Sequence, residues 1–248
     1  MLKILHTGIF LSLGYIFRLF TIPDASVSLV ITQTPNHAPN IKFIEPSGKA
    51  TQTWNVLVPY SVEVSDQEDG ESRFQEITSG EVLVKLKYEE NQVKASLYLK
   101  QKKFADSIGV NSMLISNCFN CHAVKMKLAG PSFLDISNRY QNTNKNRDLL
   151  ANHIKKGSAG IWGKEAMPSH PEISDSVDVK MVKWILNYAK DPGLNYFVGL
   201  QGSLPLNRPT AATQRGLYIV EAFYTDHGTV DLPDKKLTGS SFMIIQMK

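Results

Sequence analysis

The chain is poor in cysteine. It has two in 248 residues, so a disulfide framework is excluded as an organising principle. A structural zinc site of four cysteines is excluded too, because there is no second cysteine pair. One of two cysteines and two histidines lacks its H-x-x-x-H partner spacing. Blocks of lysine and arginine are also missing. The net charge is only +4, and nucleic-acid binding has no electrostatic footprint. Charged residues make up 20% and hydrophobic residues 42%, a balance that excludes wholesale disorder and allows a buried core. No apolar run is long and uncharged enough to read as a membrane-spanning helix. The best candidate, Gly8–Phe17, is ended by Arg18.

That first stretch, residues 1–25, starts with Lys3 and an apolar run and reads as an export signal or hydrophobic segment, with membrane anchoring left open. Residues 26–40 are rich in Thr, Pro and Asn and read as a lead-in.

Both cysteines fall in one pentapeptide, Cys118-Phe119-Asn120-Cys121-His122. C-x-x-C-H is the attachment pattern for c-type haem. Two thiols form thioethers to the vinyl groups, and the following imidazole sits beneath the iron. A thiol-redox C-x-x-C remains the competing reading, although its usual βαβ setting is not apparent. If the haem reading holds, the chain must supply a sixth ligand. Met167 stands in a Pro-flanked loop after Trp162, between two amphipathic segments, and is the candidate thioether. The first segment contains Leu149, Leu150, His153 and Ile154 and is stopped by Gly157. The second, from about Ser176 to Lys190, carries Val177, Met181, Trp184, Ile185 and Tyr188 on one face. A further helix is expected over 101–117, weakened by Gly109 and Asn111.

Residues 38–100 alternate with period two at Val56–Val58, Tyr60–Val64 and Val82–Tyr88, and Ala95, Leu97 and Leu99 extend the pattern. This predicts a small antiparallel β-sandwich of five to seven strands. The acidic turn Asp66–Asp69 reads first as a solvated turn and second as a hard-oxygen site for Ca²⁺. Residues 191–248 read as linker and a partial β segment, with strand-like runs at Leu217–Asp226 and Phe242–Ile245.

Residues 104–190 resemble the class I monohaem cytochromes c of bacteria. The resemblance rests on the haem motif, Gly130-Pro131, His153-Ile154-Lys155-Lys156-Gly157, Gly160-Ile161-Trp162-Gly163, Met167-Pro168 and Met181–Leu186. The stretch Tyr60–Gly70 resembles PKD-type immunoglobulin-like domains of exported bacterial proteins, and the tail resembles the opening of a carbohydrate-binding sandwich. These resemblances imply an exported, multi-domain chain: an N-terminal all-β immunoglobulin-like sandwich, an all-α cytochrome c fold and an incomplete β tail. They imply one covalent haem c on Cys118 and Cys121, with His122 and Met167 as metal ligands. The Pro131 carbonyl would fix the His122 ring, Trp162 would reach a propionate, and His153 would stand where the family often has Arg. His170 would occupy a position near the Met sulfur. Lys125, Lys127, Lys155, Lys156 and Lys164 would form a basic rim for an acidic redox partner, a dehydrogenase or a terminal oxidase. The implied function is one-electron transfer rather than catalysis. An adhesion or scaffold module with a vestigial haem domain, and a haem sensor or peroxidase, are the alternatives.

Overall fold

The computed structural model describes residues 35–47, 50–100, 107–209 and 216–248. The expected export segment lies outside these residues.

Among the described residues, nine strands form two sheets that share one core. In the first sheet β3 (Leu57–Asp66) lies between β1 (Asn40–Glu45) and β7 (Gln201–Pro205), and the short β4 (Gly70–Glu71) pairs with its far end. The second sheet runs β2 (Ala50–Gln52), β9 (Thr238–Met247), β8 (Leu217–Thr225), β5 (Leu83–Glu89), β6 (Leu194–Val198). Strand β3 alternates strictly, placing Val58, Tyr60, Val62 and Val64 inward. They meet Val84, Leu86, Val220 and Tyr224 of the opposing sheet.

Strand β8 does not alternate. Its near-continuous apolar run is buried on both faces. Tyr218, Val220, Ala222 and Tyr224 face the sandwich core. Leu217 and Ile219 lie under α1 (Gln92–Lys100), and Phe223 faces a helical lobe.

Two expectations change here. Ala95, Leu97 and Leu99 do not extend the sheet, because 92–100 is helix α1. The contacts follow a helical period: Ala95 is fully buried with Tyr98 and Leu99 against Leu217 and Ile219, while Leu97 is exposed. Asn91 caps the helix by accepting from the Lys94 N–H at 3.0 Å. Nor is the tail a linker with a β remnant. Its strands β6 and β8 flank β5 on either side, β9 pairs with β8 and β2, and β7 crosses to the first sheet. The sandwich is therefore built from both ends of the described chain, and residues 107–190 are inserted between β5 and β6.

The insertion is helical: α2 (Ser107–Ile115), α3 (Phe133–Arg139), α4 (Asn144–Lys156) and α5 (Asp175–Tyr188). Residues 101–106 of the expected first helix are not described. Gly109, expected to weaken α2, instead permits its crossing with α5: a Cβ there would meet the Lys180 carbonyl oxygen at 2.6 Å and Trp184 Cβ at 2.9 Å. Ser132 opens α3 with a capping box, its hydroxyl accepting from the Asp135 N–H at 3.0 Å. The lobe rests on the outer face of the second sheet. Tyr196 of β6 meets Trp184 edge-on at 5.4 Å, and Leu83, Val198 and Phe223 join the same cluster. Lys87 ties β5 to the end of the lobe through Asp191 at 2.8 Å.

Candidate haem site

A tight turn at Cys118–Asn120 presents the motif. Asn117 takes a left-handed conformation (φ 58°), which Asn tolerates, and the N–H groups of Cys121 and His122 both donate to the Cys118 carbonyl at 3.2 and 3.0 Å. Cys118, Cys121 and His122 all line one cavity of about 320 Å³. The two cysteines do not pair as a disulfide. Burial pushes the Cys118 thiol up to about 11. A thiol-redox pair needs a lowered thiol pKa, so this environment speaks against that competing reading.

His122 is buried and held by the next segment. Its Nδ1 lies 2.7 Å from the Pro131 carbonyl oxygen. A carbonyl only accepts, so Nδ1 carries the proton and Nε2 keeps its lone pair. Burial lowers the ring's pKa, an effect partly offset by the Pro131 bond, so the imidazole is neutral near pH 7. Backbone bonds fix that carbonyl: the Gly130 N–H donates to the Cys121 carbonyl at 2.8 Å and the Phe133 N–H to the Ala123 carbonyl at 3.0 Å. The Phe133 ring stacks on the imidazole at 5.5 Å and 12°.

Gly130 is required by contact with that ring. A Cβ there would fall 2.4 Å from His122 Cε1. Gly130→Ala is therefore expected to displace the imidazole and to cost about 1–3 kcal/mol of stability, the range for overpacking. Thermal unfolding and the absorption spectrum of the purified variant check this. A wild-type melting temperature and spectrum would contradict it.

Another wall of the cavity comes from the loop after α4. Gly157 ends α4 with φ +78°, and a Cβ there would meet the Met167 carbonyl oxygen at 2.7 Å. Ser158 and Met167 then exchange backbone bonds, with Met167 N–H donating at 2.8 Å and Ser158 N–H at 3.1 Å. The loop is closed again by the His170 N–H, which donates to the Ile154 carbonyl at 3.0 Å. Met167 thus lines the cavity on a backbone clamp rather than on a free loop. Trp162 lines the cavity as well, under the Arg139 guanidinium at 4.8 Å; Arg139 also donates to the Ile161 carbonyl at 3.1 Å. His153 reaches the same space beside Leu150 and Ile154.

The structure thus gathers Cys118, Cys121, His122, Pro131, His153, Trp162 and Met167 around one cavity. His170 is not among its lining residues and pairs instead with Glu172 at 2.9 Å. Two lysines of the expected rim are committed elsewhere. Lys125 donates to the Ala189 and Asp191 carbonyls at 2.6 Å, closing the C-terminal end of α5. Lys155 donates to the Ile173 carbonyl and pairs with Asp175 at 3.1 Å. Lys127, Lys156 and Lys164 are exposed. The Asp66–Asp69 turn is bonded within itself and to the second sheet: Asp66 Oδ1 accepts the N–H groups of Glu68 and Asp69, while Asp69 takes the Tyr224 hydroxyl at 2.6 Å and pairs with His227 at 3.2 Å. Sequence reasoning missed the contact of Gly130 with the ring, the Phe133 stack and the Arg139–Trp162 contact. Only Gly130-Pro131, as a turn signal, pointed near any of them.

The donor set fits a covalently attached haem. Two thiols, a neutral imidazole with an open Nε2 and a thioether share a cavity whose other walls include Leu150, Ile154, Met181 and Ile185.

Comparison with known proteins decides the family. Cytochrome c-552 of Nitrosomonas europaea is 38% identical over 71 residues, 29% of this chain and 69% of that protein. Cytochrome c-551 of Ectopseudomonas mendocina is 36% identical over 69 residues, 28% of this chain and 83% of that protein. This chain belongs to the class I cytochromes c. The likeness covers under a third of this cytochrome's length. Among solved structures, that of the Nitrosomonas europaea cytochrome c552 is 36% identical, covering 30% of this chain and 93% of its own, with a TM-score of 0.29. No family model matches the chain. The family's cofactor is one covalently attached haem c, in keeping with the single C-x-x-C-H motif here.

Proposed function

We propose that this cytochrome is a one-electron carrier or relay, with haem c on Cys118 and Cys121 and His122 and Met167 as its axial ligands. The observation that carries the reading is that His122 and Met167, 45 residues apart in sequence, line one apolar cavity and are each held by backbone bonds. When bound, haem supplies a one-electron couple at its iron. The chain's own residues do the rest. The Pro131 carbonyl orients the imidazole and strengthens it as a donor. The Ser158 clamp holds the Met167 sulfur in place. Leu150, Ile154 and Ile185 keep water out. Trp162 and His153 offer donors at the cavity margin for anionic substituents of the cofactor. His122 and Met167 would both hold the iron, which would leave no open site for oxygen or peroxide and favours a carrier over a peroxidase or sensor.

The stretch Val62-x-Val64-Ser65-Asp66-x-Glu68-Asp69-Gly70 supports reading the sandwich as a PKD-type, immunoglobulin-like module, and with it an exported, periplasmic setting. No helix among the described residues is long and apolar enough to cross a membrane. The partner is a redox protein, such as a dehydrogenase or a terminal oxidase, which would approach on the side of the exposed Cys121. With Lys125 and Lys155 engaged by groups of the protein itself, electrostatic steering of that partner falls to Lys127, Lys156 and Lys164.

A redox titration of the purified holoprotein tests the proposal. One reversible electron per chain, with no peroxide turnover, is the expected result. Peroxide turnover at enzymatic rates by the native protein would overturn it.

A further inference from the structure

Helix α5 turns one stripe inward: Asp178, Met181, Val182 and Ile185, at i, i+3, i+4 and i+7. The last three line the haem cavity. Asp178 sits one turn before them and is only 1% exposed. Carboxylates are rarely buried so fully without a partner. Its Oδ1 is buried with no hydrogen-bond partner, and its Oδ2 is 3.7 Å from Lys155 Nζ. Lys155 is shared, since it also pairs with Asp175 at 3.1 Å and donates to the Ile173 carbonyl. One cation therefore faces two carboxylates, and the local charge is about −1 before Glu172 is added. Glu172 and Asp175 both act on Asp178 electrostatically; Glu172 is itself paired with His170. From the haem-attachment turn, Cys118 lies within the field of Asp178. It becomes a thioether once haem is attached and then does not titrate.

We infer that Asp178 sets the reduction potential of the haem site through its buried charge and couples electron uptake to proton uptake. The inference rests on the carrier reading above. Reduction delivers one electron from the redox partner to the haem iron and lowers the site's charge by one. An ionised carboxylate nearby opposes that step, and protonation from solvent removes the opposition. Burial holds the Asp178 carboxyl above the usual carboxylate range, while Lys155 pulls the other way. The protonated form therefore persists to higher pH than for an exposed carboxylate. The sign follows: the potential is highest at low pH and falls as pH rises through the Asp178 pKa of the oxidised and then of the reduced protein, which is the higher of the two.

The test is spectroelectrochemical titration of the holoprotein from acid to neutral pH, on wild type, Asp178→Asn and Asp175→Asn. At neutral pH, Asp178→Asn is expected to favour the reduced form about tenfold, which is ~59 mV for one electron. It should also flatten the acid-range slope. Asp175→Asn removes the charge of a side chain that is 93% exposed and should change the equilibrium by less than about twofold. His170→Gln should leave the slope in place. An unchanged potential and slope in Asp178→Asn would overturn the inference. Should that variant fail to fold, NMR titration of the wild-type Asp178 carboxyl in both redox states makes the same decision. A higher pKa in the reduced protein supports the inference, and equal values overturn it. A wild-type protein without covalent haem would overturn the carrier reading as well, and the absorption spectrum shows this before any potential is measured.

Discussion

A chain ending at residue 190 is expected to lose the whole sandwich, not just a tail. Strand β5 is paired with β6 from Leu83↔Val198 to Lys87↔Leu194 and with β8 from Leu83↔Phe223 to Glu89↔Leu217. The truncation leaves β5 with neither neighbour, β2 without β9 and β3 without β7. It also removes Leu204, Tyr218, Val220, Tyr224 and Ile245 from the core. Each large buried apolar side chain contributes about 1.5–3 kcal/mol. Five of them approach or exceed the roughly 5–15 kcal/mol that stabilises an ordinary domain. The helical lobe suffers as well, because Tyr196 and Phe223 cover Trp184 and its neighbours. Far-UV circular dichroism and thermal melting of the truncated and full chains make the comparison. A truncated chain that kept its β signal and melted cooperatively would contradict the two-ended sandwich.

Met167→Ala is expected to have the larger electronic effect and a small structural one. The loop holds its course through the Ser158–Met167 backbone pair and the His170–Ile154 bond, neither of which involves the sulfur. The fold should persist while the thioether disappears. A thioether ligand raises the potential, and axial ligation as a whole spans about 0.8 V across haem proteins. Its loss should lower the potential by on the order of 100 mV or more, within that span. The variant should also bind added imidazole or cyanide more readily than the native protein. An unchanged potential would show that another residue holds the sixth position, with Met113 and Met181 of the same cavity the first to examine.

The residues that meet at the cavity were legible as candidates because their patterns are local in sequence. C-x-x-C-H, Gly130-Pro131 and a Pro-flanked Met167 are short patterns, and the structure brings them to one cavity. The supporting contacts were less visible. Nothing in the pattern around Gly130 says that an imidazole ring will press against it, and Phe133 looks like any apolar residue opening a helix. The departures were partly visible. His153 reaches the cavity, but His170, two residues from Glu172, pairs locally.

The fold was legible in its parts and not in its assembly. Period two marked β3 and β5 correctly, yet nothing in residues 38–100 reveals that the missing neighbours of β5 arrive more than a hundred residues later. The run Leu217–Tyr224 held the clue: a strand apolar at nearly every position needs cover on both faces. Such a strand cannot be a stray edge. The 92–100 segment misled because Ala95, Leu97 and Leu99 alternate by chance, while the contact-making set is Ala95, Tyr98 and Leu99. Asp178 was hidden for another reason. A carboxylate in the first turn of a helix ordinarily faces solvent and favours the helix dipole, and only packing shows that this one is buried.

The most direct test of the account is the state of the haem in protein made in a host that matures c-type cytochromes. Haem that stays with the polypeptide through denaturation, and that shows the ferric charge-transfer band of Met–iron ligation in the native state, is the predicted result. Haem that separates from the denatured chain, or a native spectrum without that band, would contradict it.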